Sequence, residues 1–224
     1  MKVLFLAYRN WSIEVYEKIK NNPNISNEMP LCKSEEELSC YNLSEYDLLI
    51  TCGWSEEIGK DISDKILSIG IHCADLDRYS YGTPIQLQII DNIKFSKQRL
   101  FKFVGPEGSD RAHTHTREYS HEVDLDLSGS MDDILFQMTA TGVMLFNMFL
   151  EDFPNITWKY WDSEDIKINA RTPKDSIVSM EDFSSKTTED LYNLIRCLES
   201  PYPNLCLEDE YGFLFFEKVR YKRK

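Results

Sequence analysis

No two of the six cysteines (Cys32, Cys40, Cys52, Cys73, Cys197 and Cys206) stand in a CxxC spacing, and most sit among apolar neighbours. That argues against a disulfide framework and predicts reduced, buried thiols. Basic charge is scarce as well. Against 38 acids stand 25 Lys and Arg, a formal net charge of −13, whereas a phosphate backbone is bound by a cationic face. No nucleic-acid partner is expected, and the one basic run, residues 218–224, reads as a solvated tail. Residues 1–8 lack the basic flank, long apolar stretch and small-residue cleavage site of a leader. No stretch reads as a membrane span, so the expectation is a cytoplasmic protein with no membrane partner. Internal repeats and low-complexity tracts are absent too.

What is present suits a packed α/β protein. At 224 residues, with 42% hydrophobic and 12% aromatic residues, the chain can build one sizeable domain and a small annex. Residues 2–8, 47–53 and 66–73 are short apolar runs of the kind found in strands buried on both faces. Between them, Ser12 is expected to cap a helix with Ile13, Tyr16 and Ile19 on its apolar face. Residues 56–65 read as a second helix. Such alternation predicts a mostly parallel, Rossmann-like sheet with ligands at the carboxyl ends of its strands. Pro84 suits the first turn of a helix running to about Asn92. Residues 99–104 and 112–123 read as strands, and a long helix opens at Ser130 or Met131, its Met and Phe stripe serving core packing. Phe153-Pro154-Asn155 breaks that helix, giving domains at 1–154 and 155–224. The annex should hold a helix over 188–199 and a final hairpin turning near Tyr211-Gly212.

Two side chains suggest acyl transfer to an amine. That reaction needs a proton shuttle with a pKa near neutrality, a carboxylate to orient it, and a donor for the negative oxygen of the tetrahedral intermediate. His72, ending the strand over 66–73, and Asp110, in the loop after Val104, are positioned to supply the first two. Cys73 next to His72 invites a thiol nucleophile, but strand neighbours point to opposite faces.

The spacing around these residues is similar to that of the folate-dependent formyltransferases. Ile71-His72-Cys73-Ala74-Asp75-Leu76, then Gly82-Thr83-Pro84-Ile85-Gln86, resembles their Asn-x-His and Arg-Gly-x-x-Pro-Ile-Gln signature, and Glu107-Gly108-Ser109-Asp110 resembles their Gly-x-Asp-Thr-Gly loop. The resemblance implies a formyltransferase fold, N10-formyltetrahydrofolate as co-substrate, and His72 and Asp110 as catalytic residues. It also implies a departure, because the Asn position falls on Gly70, which has no side-chain amide. Losing such an oxyanion donor costs on the order of 3 kcal/mol of transition-state stabilisation. Ser80-Tyr81 replaces the expected Arg-Gly, and Arg111-Ala112 the expected Thr-Gly.

Within that family, Ala7-Tyr8-Arg9-Asn10-Trp11 and Gly53-Trp54-Ser55 resemble the sugar N-formyltransferases, as does Arg171-Thr172-Pro173-Lys174-Asp175 with Pro201-Tyr202-Pro203. The implied acceptor is the 3- or 4-amine of a dTDP-linked amino-dideoxy hexose, and the implied assembly a homodimer. Arg9, Trp11, Trp54, Ser55, Gly82, Thr83, Pro84 and Arg171 are the candidate substrate-binding residues: arginine offers a forked donor to phosphate or sugar oxygens, and tryptophan a flat apolar face. For both tryptophans core packing is an equal alternative, and Arg171 could instead hold the annex through Asp175, as Arg196 could through Glu199. Two rivals remain open. One is a catalytically degenerate relative that binds an amino-sugar nucleotide or a partner chain; the other is a methionyl-tRNA formyltransferase, whose basic surface is missing. His113, His115 and His121 lack acid or thiol companions at ligand spacing, so no metal is expected.

Overall fold

The structure, a computed structural model, describes residues 1–26, 28–56, 58–74, 79, 83–103, 111–112 (backbone only), 118–160 and 171–222. The first half alternates strand and helix: β1 (Val3–Leu6), α1 (Asn10–Ile19), β2 (Leu31–Cys32), α2 (Glu35–Ser39), β3 (Leu48–Thr51), β4 (Ile58–Gly59), α3 (Lys60–Ser63) and β5 (Leu67–His72). Then come α4 (Pro84–Ile90), β6 (Phe95–Lys102), β7 (Arg111–Ala112), β8 (Glu118–Asp126), the long α5 (Met131–Asp152) and β9 (Lys159–Tyr160). The chain finishes with β10 (Ile177–Ser179), α6 (Met180–Ser184), α7 (Thr188–Arg196), β11 (Leu205–Asp209) and β12 (Gly212–Phe216).

Seven strands form the central sheet in the order β2-β1-β3-β5-β6-β8-β9. The first four are parallel, and β6, β8 and β9 extend the sheet by antiparallel pairing. Five of the seven therefore point the same way. Every residue of β1 and β3 is buried, as their unbroken apolar runs require of strands covered on both faces. One face, carrying Val3, Phe5, Ile50, Ile69 and Leu100, packs with α1, α4 and α5. The other, carrying Leu4, Leu6, Leu49 and Phe101, packs with Leu38 of α2 and with Ile58. The first core runs on into Leu194, Ile195 and Leu205.

Local chemistry explains the boundaries. Pro84 occupies the first turn of α4, where its missing N–H is no loss. The Ser130 side chain accepts from the Asp133 N–H at the start of α5, and the Asp133 carboxylate accepts from the Ser130 N–H, a reciprocal capping box. By length and apolar composition α5 meets the test for a membrane span, contrary to the sequence reading; here Ile134, Met138, Leu145, Phe146 and Phe149 are buried in the core.

Two other expectations are corrected. Helix α1 starts at Asn10, and Ser12 is no cap: it is buried, and its hydroxyl donates to the Arg9 carbonyl at 2.8 Å. The chain at Gly53, with φ of +60°, presses so close that a Cβ there would meet Ser12 Oγ at 3.0 Å. The helix expected over 56–65 shrinks to the four residues of α3, because Ile58 and Gly59 pair with Ala112 and Arg111. That pairing is set by a distant segment.

Candidate active site

The parallel run of β1, β3 and β5 brings their carboxyl ends to one edge of the sheet, where open α/β sheets bind ligands. After β1, the Arg9 Nε donates to the Gly53 carbonyl at 3.1 Å and its Nη2 to the Ser55 Oγ at 3.0 Å. The Tyr8 hydroxyl donates to the same Ser55 Oγ at 2.6 Å. The Arg9 guanidinium lies 5.3 Å from the Tyr8 ring centroid, and the Trp54 ring packs edge-on to Tyr8 at 5.7 Å. Arg9, Trp54 and Ser55 thus form one cluster, with Tyr8 as the member the sequence reading missed. The Trp54 Nε1, buried, has no hydrogen-bond partner among the described residues.

His72 ends β5, buried at 9% exposure. Strand alternation places it on the same sheet face as Gly70. The register pairs His72 with Arg99 of β6, and Gly70 with Thr51 of β3 on one side and Phe101 of β6 on the other. Arg99 donates from Nε to the Glu122 carboxylate at 2.8 Å and lies 4.9 Å from the Tyr119 ring. Together with Lys97, this cation holds the Glu122 carboxyl below its usual range in spite of partial burial, which acts the other way and is the largest single influence. Gly70 has no spare room: a Cβ there would lie 2.6 Å from Thr51 Oγ1 and 2.8 Å from Phe101 Cζ.

Cys73 points into the opposite core. Its Sγ accepts from Gln98 Nε2 at 3.0 Å, its carbonyl accepts from Gln88 Nε2 at 3.1 Å, and Gln98 in turn accepts from Thr141. Burial pushes the thiol up to about 12. A thiol so held stays protonated at neutral pH and is a poor nucleophile.

A cleft of about 480 Å³ opens beside the Arg9 cluster, lined among others by Tyr8, Arg9, Trp11, Phe136, Thr139 and Tyr202. Trp11 serves two purposes: at 8% exposure it packs in the core and still lines this cleft. Tyr202 is the second residue missed. Burial pushes its phenol up, opposed by a hydrogen bond with Gln86 and by the Arg9 charge, so one ring links the final third of the chain to both α4 and the end of β1. Its signal in the sequence was the resemblance of Pro201-Tyr202-Pro203 to the sugar N-formyltransferases, which singled out the segment but not the ring. A second groove, about 620 Å³, is lined by Leu38, Tyr41, Trp54, Asp61 and Lys65 among others.

Thr83 and Pro84 open α4, and the Arg171 N–H reaches the Thr83 Oγ1 at 3.5 Å. The Arg171 guanidinium also donates to the Asp175 carbonyl. Arg196 is structural in its contacts, donating from Nη1 to the Leu127 and Gly129 carbonyls at 2.7 and 3.0 Å rather than to Glu199, whose carboxylate accepts from the Met131 N–H. Asp110 and Gly82 lie outside the described residues, as do His113 and His115. His121 contacts Ser120 Oγ and Asp152 Oδ2, each at 3.0 Å.

No family model matches the sequence, and no curated protein does. Solved structures do. The methionyl-tRNA formyltransferase from Clostridium thermocellum superposes with a TM-score of 0.79 at 21% identity, over 99% of this chain and 94% of that one. A sugar N-formyltransferase from Shewanella sp FDAARGOS_354 gives 0.69 at 14% identity, over 100% and 99%. HypX from Aquifex aeolicus in complex with tetrahydrofolic acid gives 0.70 at 16% identity, over 93% of this chain and 36% of that one. The chain has the formyltransferase fold along essentially its whole length.

Proposed function

We propose that the protein is a folate-dependent N-formyltransferase that moves a formyl group from N10-formyltetrahydrofolate to the amine of a nucleotide-linked amino sugar, of the dTDP-amino-dideoxy hexose class with the amine at position 3 or 4. The observation that carries this reading is His72, buried at the carboxyl end of β5 in a chain whose fold throughout is that of formyltransferases. In the proposed roles His72 takes the proton that the attacking amine loses and returns it to the departing folate nitrogen, while Asp110 orients the imidazole.

The acceptor is read from the chemistry of the neighbouring cleft. Arg9 offers a fork for diphosphate oxygens, and Tyr8, Phe136 and Tyr202 offer flat faces for a base or sugar, with Trp54 packed edge-on against Tyr8 behind them. Gly82, Thr83, Pro84 and Arg171 would close the sugar side, and Trp11 the floor. The net charge of −13 speaks against a tRNA acceptor, although one structural neighbour is named for that substrate. The six thiols are all free, which suits the proposed cytoplasmic location. A homodimer is part of the proposal.

Incubating the protein with N10-formyltetrahydrofolate and a panel of dTDP-amino sugars tests it. The expected result is a formylated sugar and free tetrahydrofolate from the wild type, with product formation by His72→Ala lower by at least about a hundredfold. Tight binding of an amino-sugar nucleotide without turnover would favour the degenerate relative instead, a reading that the side-chain-free Gly70 supports.

A further inference from the structure

Formyl transfer, on the reading just given, leaves one service without an owner. The amine lone pair attacks the formyl carbon, a new C–N bond forms, and the carbonyl pair moves onto oxygen. When that pair returns, the bond to the folate nitrogen breaks, and the nitrogen takes its proton from the imidazolium of His72. Between these events the oxygen is negative, and it needs a hydrogen-bond donor fixed in advance. Gly70 has no side chain to offer one.

We propose that the hydroxyl of Thr51, on the adjacent parallel strand, is that donor. Thr51 ends β3 in register with Gly70, and its Oγ1 already fills the space a side chain on Gly70 would enter, 2.6 Å from the Cβ position. The Phe101 ring closes the other side at 2.8 Å, so Oγ1 is the polar atom in an otherwise apolar floor. His72 lies two residues further along β5 on the same face, roughly 7 Å on from Gly70. Among the described residues the Thr51 hydroxyl has no hydrogen-bond partner. Beside His72 on this face, Arg99 donates from Nε to the Glu122 carboxylate at 2.8 Å. The hydroxyl keeps its proton throughout; it lends a hydrogen bond while the oxygen carries charge.

The glycine is thus one half of an exchange between neighbouring strands. A side chain at position 70 and a hydroxyl at position 51 compete for one space, and this chain keeps the hydroxyl.

Steady-state kinetics of the wild type, Thr51→Val and Thr51→Ser separate this assignment from the functional reading it rests on. Valine keeps the shape and removes the donor, so kcat should fall on the order of a hundredfold while KM for both substrates stays near the wild-type value, as expected for an interaction made in the transition state. Serine should restore most of kcat. Thermal melts of all three accompany the rates, and Thr51→Ala is read the same way should the valine variant fail to fold. Undiminished kcat in Thr51→Val, a change confined to KM, or a serine variant as slow as valine overturns the assignment alone. A wild type that forms no formylated product from any amino sugar removes the reading, and the assignment with it.

Discussion

Gly70 shows how much one residue can decide without a side chain of its own. Thr51 and Phe101 close over it from both neighbouring strands, so added atoms there must displace a β-strand hydroxyl or an aromatic ring rather than a flexible surface chain. Overpacking of this kind typically costs about 1–3 kcal/mol. Gly70→Ala is expected to lower unfolding free energy by that amount in denaturant titrations, and Gly70→Asn by more; unchanged stability in both would mean that the floor of the site is looser than the geometry indicates. Here the sequence was half legible. Comparison with the family motif showed that the amide was gone, but nothing in the order of residues showed what filled its place, because Thr51 and Gly70 meet only through the pairing of β3 with β5. Tyr202 and Arg9 are alike in this: nearly the length of the chain separates two residues that line one cleft.

At the scale of elements, what could be read was whatever local chemistry determines. Pro84 at the first turn of α4, Ser130 before α5 and the turn from Asp209 to Gly212 all act within a few residues of themselves. The failures at Ser12 and over residues 56–65 share a cause, since in both a distant segment overrides the local signal: Gly53 packs onto Ser12, and Arg111–Ala112 pair with Ile58–Gly59. The capping box of α5 supports a prediction. Ser130→Ala removes the acceptor for the Asp133 N–H and one donor to the Asp133 carboxylate, and should cost about 1 kcal/mol. The Ser130 hydroxyl, then its N–H, hold the Asp133 carboxyl below its usual value. Its contribution is therefore present at neutral pH, and it is lost as the pH falls from about 4, the ordinary carboxylate pKa, through the lower folded value. Denaturant titrations of wild type and variant at neutral and strongly acidic pH should show the difference narrowing with acid; a difference independent of pH would remove Asp133 from the account.

For the whole molecule, the apolar runs and their alternation with helices were enough to read a Rossmann-like sheet, because burial on both faces leaves a strong mark in composition. What such marks cannot convey is how the final hairpin is used. β12 is the outer strand of a three-stranded sheet, and Phe213, Leu214 and Phe215 on it are 60%, 57% and 61% exposed. The last residue, Phe216, stacks on Phe183 at 5.3 Å. An edge strand with free backbone groups and apolar side chains on both faces is a template for another strand, and a two-fold axis lets the same strand of a second copy pair with it antiparallel. The proposed homodimer would therefore join through β12. Each subunit carries a net charge of −13, so long-range repulsion opposes the apolar contact and salt should relieve it. Sedimentation equilibrium is expected to show a dimer that tightens as salt is raised from low to physiological strength, and Leu214→Lys with Phe215→Lys should give a monomer that keeps its fold by circular dichroism. A wild type that stays monomeric at every concentration and salt level, or a dimer untouched by the lysine pair, would mean that this strand faces water or a different partner.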